Sequence, residues 1–199
     1  MESSAKVSFG DKLNRTLTWW RVPLLLIPSA LLVLYVNRMD AFLFGAAVAV
    51  FGQLIQTWSG AHIHKDMRLT VSGPYCYVRN PMYIGRFFLM FGFVLMLWNT
   101  YVNAVFVVLF AVYAHLRVLR EEPRLKELFA ADYERYCSEV NRWLPKVNRY
   151  SGAEPRKASW ECVRENHEDI HFIALIIILA ALFLRILYLP DLWDVVFHR

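Results

Sequence analysis

The sequence predicts an all-α integral membrane protein with five transmembrane helices. Three observations lead to this fold class: the apolar composition, five long apolar segments, and basic residues that fall on alternate loops. Of the 199 residues, 57% are hydrophobic and 16% are aromatic, whereas an average soluble domain is about 45–50% apolar. This composition excludes disordered chains and nucleic-acid-binding arms. The three cysteines include no CxxC pair, so neither a disulfide framework nor a zinc ribbon is expected.

The apolar segments cover residues 22–36, 41–58, 82–98, 101–119 and 170–190. A helix that crosses a bilayer needs about 20 apolar residues, with about 17–25 tolerated. The second to fifth segments meet this length alone. The first is short and contains Pro23 and Pro28, so it spans a bilayer only when residues 17–20 are included.

The basic residues predict the orientation of these helices. Residues 1–21, 63–86 and 117–168 hold 19 of the 22 lysines and arginines, and alternating helices place all three stretches on one side. Because positively charged loops remain in the cytosol, we expect a cytosolic N-terminus and a C-terminus on the opposite side. Helical spacing of apolar residues in the last stretch predicts an amphipathic surface helix, with Pro123 in its first turn.

The loop of residues 72–85 reads SGPYCYVRNPMYIG and combines turn signals with polar and aromatic side chains. Gly73-Pro74 predicts a turn. Asn80 precedes Pro81, so we expect Asn80 to cap the third membrane helix and Pro81 to be its first residue. This structural interpretation leaves Arg79 and the tyrosines at 75, 77 and 83 unexplained, although anchoring at the membrane interface accounts for part of the aromatic content.

Two further patterns carry charged side chains at helix ends. In RVLREE (residues 117–122), Arg117 and Glu121 are four residues apart and share one helix face. They form either a weak surface ion pair or, beside Glu122, a site for a cationic ligand. HEDIH (residues 167–171) fits the HExxH pattern, in which two histidines bind zinc and a glutamate acts as general base. No third ligand is evident on the same side of the membrane, so we predict no metal site.

The loop at 73–85 is followed, at 120–145, by REEPRLKELFAADYERYCSEVNRWLP. In their order and separation these two motifs resemble the isoprenylcysteine carboxyl methyltransferase family and its relatives, the phospholipid methyltransferases. The resemblance covers about residues 41–145. The matching residues are Gly73, Tyr75, Arg79, Asn80, Pro81, Tyr83, Glu121, Glu122, Leu125, Phe129, Tyr133, Tyr136 and the basic–aromatic–aliphatic–Pro ending at 142–145.

The resemblance implies an integral membrane enzyme that transfers a methyl group from S-adenosyl-L-methionine to a lipophilic acceptor, with a cytosolic cofactor-binding region. It implies cofactor-binding roles for Leu69, Thr70, Tyr75, Asn80, Pro81, Met82, Tyr83, Glu121 and Glu122, and catalytic roles for Arg117, which would face the acceptor, and Arg79. Two positions depart from the family pattern. Asn80 replaces a histidine and cannot act as a base near neutral pH. Ala130 replaces a glycine, and we expect this change to alter only local packing.

The domain organisation expected from these patterns is a membrane methyltransferase core at 1–145, a cytosolic linker at 146–169, and a fifth transmembrane helix with an external tail at 170–199. The expected partners are a lipophilic or lipidated substrate and membrane lipids, with no nucleic acid; nothing in the sequence indicates the oligomeric state. A bacterial inner membrane is favoured, or the endoplasmic reticulum in a eukaryote. Three alternatives remain open: an intramembrane zinc hydrolase, a non-catalytic scaffold of the same fold, and a nicotinamide-dependent membrane reductase.

Overall fold

A computed structural model describes residues 34–63 and 68–189, and these residues form helices and no strands. The main helices are α1 (Met39–Gly60), α2 (Pro81–Leu95), α3 (Thr100–Glu139), α4 (Trp160–Glu165) and α5 (Glu168–Tyr188), with a short 3₁₀ helix at Gly73–Cys76. Of the described helices, α1, α3 and α5 are long and apolar enough to cross a membrane, and α2 is a shorter apolar helix of 15 residues. The predicted all-α membrane fold is confirmed. The predicted first segment lies mostly outside the described residues.

Helices α1 and α2 pack closely because glycines face each other along their interface. A Cβ atom on Gly52 would lie 2.1 Å from the backbone nitrogen of Leu89, and one on Gly85 would lie 2.8 Å from the carbonyl oxygen of Gly52. Small residues allow helix backbones to approach closely in lipid, where burial of apolar surface gives little driving force. This contact fixes the N-terminus of α2, and with it Pro81 and Tyr83, beside α1.

Helix α5 also packs against α1. Leu175, Leu179, Leu182 and Ile186 form an apolar cluster with residues of α1 that include Ala49. The buried Arg185 side chain donates hydrogen bonds to the backbone carbonyls of Val36 and, at 2.9 Å, Leu34. A charged group inside an apolar helix requires such partners, so Arg185 ties the end of α5 to the turn before α1.

Helix α3 differs from the prediction in two respects. Pro123 lies inside this 40-residue helix, so the fourth apolar segment continues into the amphipathic region, and the expectation of a new helix starting at Pro123 was wrong. The helix is interrupted at Ala130 instead, where φ is 40° and ψ is −117°. This backbone conformation is accessible to glycine and strained for alanine. The alanine at position 130, where the family pattern has glycine, therefore strains the backbone. The expectation that this change alters only local packing was wrong.

Candidate active site

The first part of the site joins α2 to α3 through Tyr83 and Glu121. The Tyr83 hydroxyl donates a hydrogen bond to Glu121 Oε1 at 2.7 Å, and Arg117 Nη2 lies 3.6 Å from the same oxygen. Tyr83 is buried, whereas the side chains of Arg117 and Glu121 are about half exposed, at 50% and 46%. An ion pair exposed to this extent contributes little to stability. Its charges remain available to a bound molecule.

The second part is centred on Glu122, which points in a different direction because adjacent residues project about 100° apart around a helix. Glu122 Oε1 accepts hydrogen bonds from Arg79 Nη1 at 3.2 Å and from Arg142 Nε at 2.9 Å. Arg79 Nη1 also donates to the sulfur of Cys137 at 2.8 Å. The Arg79 and Glu122 side chains are 15% and 18% exposed. This network connects the 72–85 loop, α3 and the segment after α3.

The N-terminus of α2 has Pro81 as its first residue, as predicted, and Asn80 at the preceding position. Asn80 does not cap the helix with its side chain, in contrast to the prediction. Its Nδ2 group instead donates a hydrogen bond to the carbonyl oxygen of Arg142 at 3.2 Å. Asn80 thereby holds the segment after α3 against the start of α2, while Met82 is half-buried beside it.

Tyr75 and Leu69 belong to a more buried region under the loop. The Tyr75 carbonyl oxygen accepts a hydrogen bond from the Tyr136 hydroxyl at 2.7 Å. Burial of the Tyr75 ring raises the pKa of its hydroxyl, and the nearby carboxylates of Glu168 and Glu121 raise this pKa further. Leu69 packs against the cluster that contains Tyr136. Thr70 is half-buried in the adjoining loop.

An apolar cavity of about 1000 Å³ opens between α1, α2 and α3. Tyr83 lines this cavity, and its hydroxyl group binds Glu121. Trp143 lies edge-on to Tyr83, with 6.4 Å between ring centroids. The other lining residues are Phe51, Ile55, Ile84, Phe87, Phe88, Phe110, Ala111, Val112, Ala114, His115, Leu116, Leu144 and Pro145. Mostly apolar pockets with a few fixed polar groups are typical of small-molecule sites.

His167, Glu168 and His171 do not form a three-ligand metal site, although His171 Nδ1 lies 3.8 Å from Glu168 Oε2. His167 precedes α5 in a left-handed conformation with φ of 60°, and His171 is 59% exposed on its side chain. Glu168 is only 2% exposed and packs in the core. Within 34–63 and 68–189, no three histidine, cysteine, aspartate or glutamate side chains are arranged to hold a metal ion.

Of the residues singled out in the sequence, the structure brings Tyr83, Glu121 and Arg117 into one group and Arg79 and Glu122 into another. Sequence reasoning gave no role to Arg142, Cys137 or Trp143, which contact these groups. Arg142 and Trp143 were inside a recognised motif, and their position just before Pro145 was the available signal. Cys137 carried no signal, because a single cysteine on a helix is usually a packing residue.

Comparisons with known proteins agree with this arrangement. Residues 40–132 match the family model described as phospholipid methyltransferase. A protein-S-isoprenylcysteine O-methyltransferase from Schizosaccharomyces pombe is 28% identical over 109 residues, which are 55% of this chain. The match covers 46% of that relative, so the chain spans about half the length of the curated protein. No solved structure matches the chain significantly.

Residues 40–132 are similar to the phospholipid methyltransferase family, the second of the two related families that the motifs resemble. The helices that are long and apolar enough to cross a membrane agree with this similarity.

Proposed function

We propose that this chain is an integral membrane methyltransferase that uses S-adenosyl-L-methionine and methylates a lipophilic acceptor. The observation that carries this proposal is the position of Tyr83, which lines the apolar cavity and also binds Glu121. A single side chain thus connects a space suited to a lipid chain with the charged groups that are expected to bind the cofactor.

The residues present fit a polar, cationic cofactor. Glu121 and Glu122 supply carboxylates, and carboxylates favour a nearby positive charge. Arg79 Nε and the Tyr75 hydroxyl are buried without a hydrogen-bond partner among the described residues. Because buried polar groups are normally paired, these two atoms are suited to binding the carboxylate or hydroxyl groups of such a cofactor. We propose that Leu69, Thr70, Asn80, Pro81 and Met82 complete the binding region.

When bound, S-adenosyl-L-methionine supplies a methyl group on a positively charged sulfur, and its carbon–sulfur bond breaks, leaving the electron pair on sulfur, as the acceptor–methyl bond forms. The task of the protein is then mainly to position the two reactants. Glu121 is held in place by Tyr83, and Arg117 next to it can bind an anionic acceptor at the end of the cavity. The apolar walls reduce access of water, which strengthens these interactions.

An acceptor with a carboxylate group, such as an isoprenylcysteine-like molecule, fits best. Methylation of a carboxylate releases no proton, whereas an amine must lose one. Asn80 stands where the family has histidine and cannot accept a proton near neutral pH. Its side chain donates a hydrogen bond to the Arg142 carbonyl instead. The proposal of a carboxylate acceptor is contradicted if the purified protein methylates only amine lipids.

Binding of S-adenosylhomocysteine to detergent-purified protein, measured by calorimetry, tests the cofactor. We expect saturable binding by the wild type and at least about tenfold weaker binding by Glu121→Ala, because a partly buried charged partner is lost. Glu127→Ala is the matched control, since Glu127 is an exposed acid on the same helix. A folded wild type that binds no cofactor contradicts the proposal and favours the scaffold alternative.

We also propose the orientation indicated by the basic loops, with the N-terminus in the cytosol and the C-terminus opposite. The bacterial inner membrane remains our preferred location. The division into a core at 1–145, a linker at 146–169 and a C-terminal membrane helix is likewise a proposal. Zinc analysis of the purified protein tests the hydrolase alternative, which requires stoichiometric metal.

A further inference from the structure

A buried carboxylate lies at the start of α5, outside the region that matches the family. Glu168 is 2% exposed, and its Oε2 atom accepts a hydrogen bond from Gln53 Nε2 of α1 at 3.0 Å. Helix α1 has a glycine where the two helices meet: a Cβ atom on Gly60 would lie 2.7 Å from Glu168 Cγ. The carboxylate therefore occupies a position for which α1 leaves space.

Two neighbouring polar atoms lack hydrogen-bond partners. Gln53 is fully buried, and its Oε1 atom is unpaired although its Nε2 atom binds Glu168. The hydroxyl of Tyr75 is also buried and unpaired. Buried polar groups are normally paired. Gln53 Oε1 belongs to the amide that binds the Glu168 carboxylate and accepts no hydrogen bond, and Tyr75 lies on the 3₁₀ helix that packs against the same helix, α1.

No lysine or arginine of the described ranges forms an ion pair with Glu168. Glu121 pairs with Arg117, and Glu122 pairs with two arginines. The titratable group beside Glu168 is His171, whose Nδ1 atom is 3.8 Å from Oε2 and whose side chain is 59% exposed. A buried carboxylate is costly without a cationic or strongly donating partner.

Tyr75 lies on the 3₁₀ helix at Gly73–Cys76, which packs against α1, the helix that carries Gln53. Both Glu168 and Glu121 are near enough to raise the pKa of the Tyr75 hydroxyl, since a nearby negative charge opposes formation of tyrosinate. The hydroxyl therefore lies within electrostatic reach of both carboxylates. The family match ends at residue 132, so Glu168 adds a charge that the matched region does not contain.

The hydrogen-bonding capacity of these atoms indicates which kind of group they can bind. Glu168 and Gln53 Oε1 are acceptors, and the Tyr75 hydroxyl can accept or donate. Acceptors that surround a buried negative charge bind a positively charged group with several N–H donors. We propose that Glu168, Gln53 and Tyr75 form a buried binding site for an ammonium group.

This inference rests on the proposed function, which offers two sources of the group: the amino-acid end of the methyl donor or the amine head group of a lipid. Calorimetry separates them by using S-adenosylhomocysteine and its analogue without the amino group, with wild type, Glu168→Gln and Glu165→Gln. Glu165→Gln is the matched control, because Glu165 is exposed and its replacement removes the same charge three residues from Glu168. The second probe is the thermal unfolding midpoint in nanodiscs with phosphatidylethanolamine or phosphatidylglycerol.

If the cofactor supplies the group, Glu168→Gln binds S-adenosylhomocysteine at least about tenfold more weakly, as expected for a hydrogen bond to a charged group. In this case Glu168→Gln and the wild type bind the deaminated analogue with equal affinity. Glu165→Gln has the wild-type affinity for both compounds. If a lipid supplies the group, the wild type is stabilised by the amine lipid, and Glu168→Gln loses this shift while its cofactor binding is unchanged.

The inference is overturned if wild type and a folded Glu168→Gln variant bind the cofactor equally and show equal lipid shifts. Binding of S-adenosylhomocysteine by the wild type leaves the proposed function intact in that case. A wild type that binds no S-adenosylhomocysteine overturns the proposed function, and the lipid measurement still tests the ammonium site. If Glu168→Gln does not fold, Gln53→Met removes one acceptor and keeps the carboxylate. Unchanged binding and lipid shifts in that variant also overturn the inference.

Discussion

Tyr83 and Glu121 form a 2.7 Å hydrogen bond that crosses from α2 to α3. The sequence places them 38 residues apart, near the start of α2 and in the middle of α3, and the fold brings them together beside the apolar cavity that Tyr83 lines. Tyr83 is buried while the Glu121 side chain remains 46% exposed. The hydroxyl therefore fixes the direction of the carboxylate without removing it from contact with other molecules.

Tyr83→Phe removes this hydrogen bond and keeps the ring. We expect binding of S-adenosylhomocysteine to weaken about 2–13-fold, the usual effect of losing one hydrogen bond of about 0.5–1.5 kcal/mol. Calorimetry on the purified variant measures the change. Tyr101→Phe is the control because Tyr101 is 84% exposed at the other end of α3. Equal affinities in Tyr83→Phe and wild type would exclude a role for the hydroxyl in cofactor binding.

Glu122→Ala leaves two arginines without their shared carboxylate. Because Arg79 is 15% exposed and Arg142 is 30% exposed on their side chains, we expect a loss of about 2 kcal/mol in the free energy of unfolding. Reversible unfolding in mixed micelles measures it. Glu134→Ala breaks an exposed pair with Lys126 and should have no measurable effect. Similar losses in the two variants would show that the network around Glu122 is not important for stability.

Much of this fold was predictable from the sequence, because each apolar segment and each motif consists of residues that are close together in the chain. The segments at 41–58 and 101–119 lie inside α1 and α3, and α5 covers residues 170–188 of the last segment. The placement of Tyr83 and Glu121 in one binding region followed only from the family resemblance, since spacing alone does not show which helices meet. The sequence offered Glu168 only as part of the HExxH pattern, because its burial depends on Gly60 and Gln53 of a distant helix.

Ala130 shows where local rules were insufficient. Alanine favours helices, and nothing near Ala130 in the sequence indicates a break. The structure gives this residue φ of 40° and ψ of −117°. The last part of α3 changes direction there, which brings Tyr133 and Tyr136 into the buried cluster with Val71 and Cys76. Tertiary packing therefore overrides helix propensity at this position.

Ala130→Gly should stabilise the protein by about 1 kcal/mol, because glycine adopts this conformation without the strain that a Cβ atom imposes. Ala131→Gly is the matched control: Ala131 is helical and exposed, and glycine there should destabilise by about 1 kcal/mol. Thermal and denaturant unfolding compare the two variants. Destabilisation of both would indicate that residue 130 has ordinary helical geometry in the protein.

Gly52→Ala tests the close contact of α1 and α2. The new Cβ atom would lie 2.1 Å from the backbone nitrogen of Leu89, so the helices must separate, and we expect a loss of about 2–3 kcal/mol or a failure to fold. The measurement is the fraction of monodisperse protein after purification, followed by its unfolding midpoint. Ala47→Leu, on an exposed position of α1, should leave both values unchanged. A stable Gly52→Ala variant would contradict the packing of these helices.

The protein should lose stability as the pH falls below about 6.5, partly because of His62. Burial of His62, together with the charge of Arg156, lowers the pKa of its imidazole below the unfolded value of about 6.5. Its Nδ1 atom is 3.1 Å from the hydroxyl of Ser72. As the pH falls, the unfolded chain therefore binds a proton at a higher pH than the folded chain does. The stabilisation contributed by neutral His62 is present above pH 6.5 and is lost as the pH falls toward the folded-state pKa. Thermal unfolding midpoints between pH 5 and 8 should depend less on pH in His62→Gln than in the wild type. Identical pH profiles for His62→Gln and wild type would show that the folded and unfolded chains hold this proton equally well.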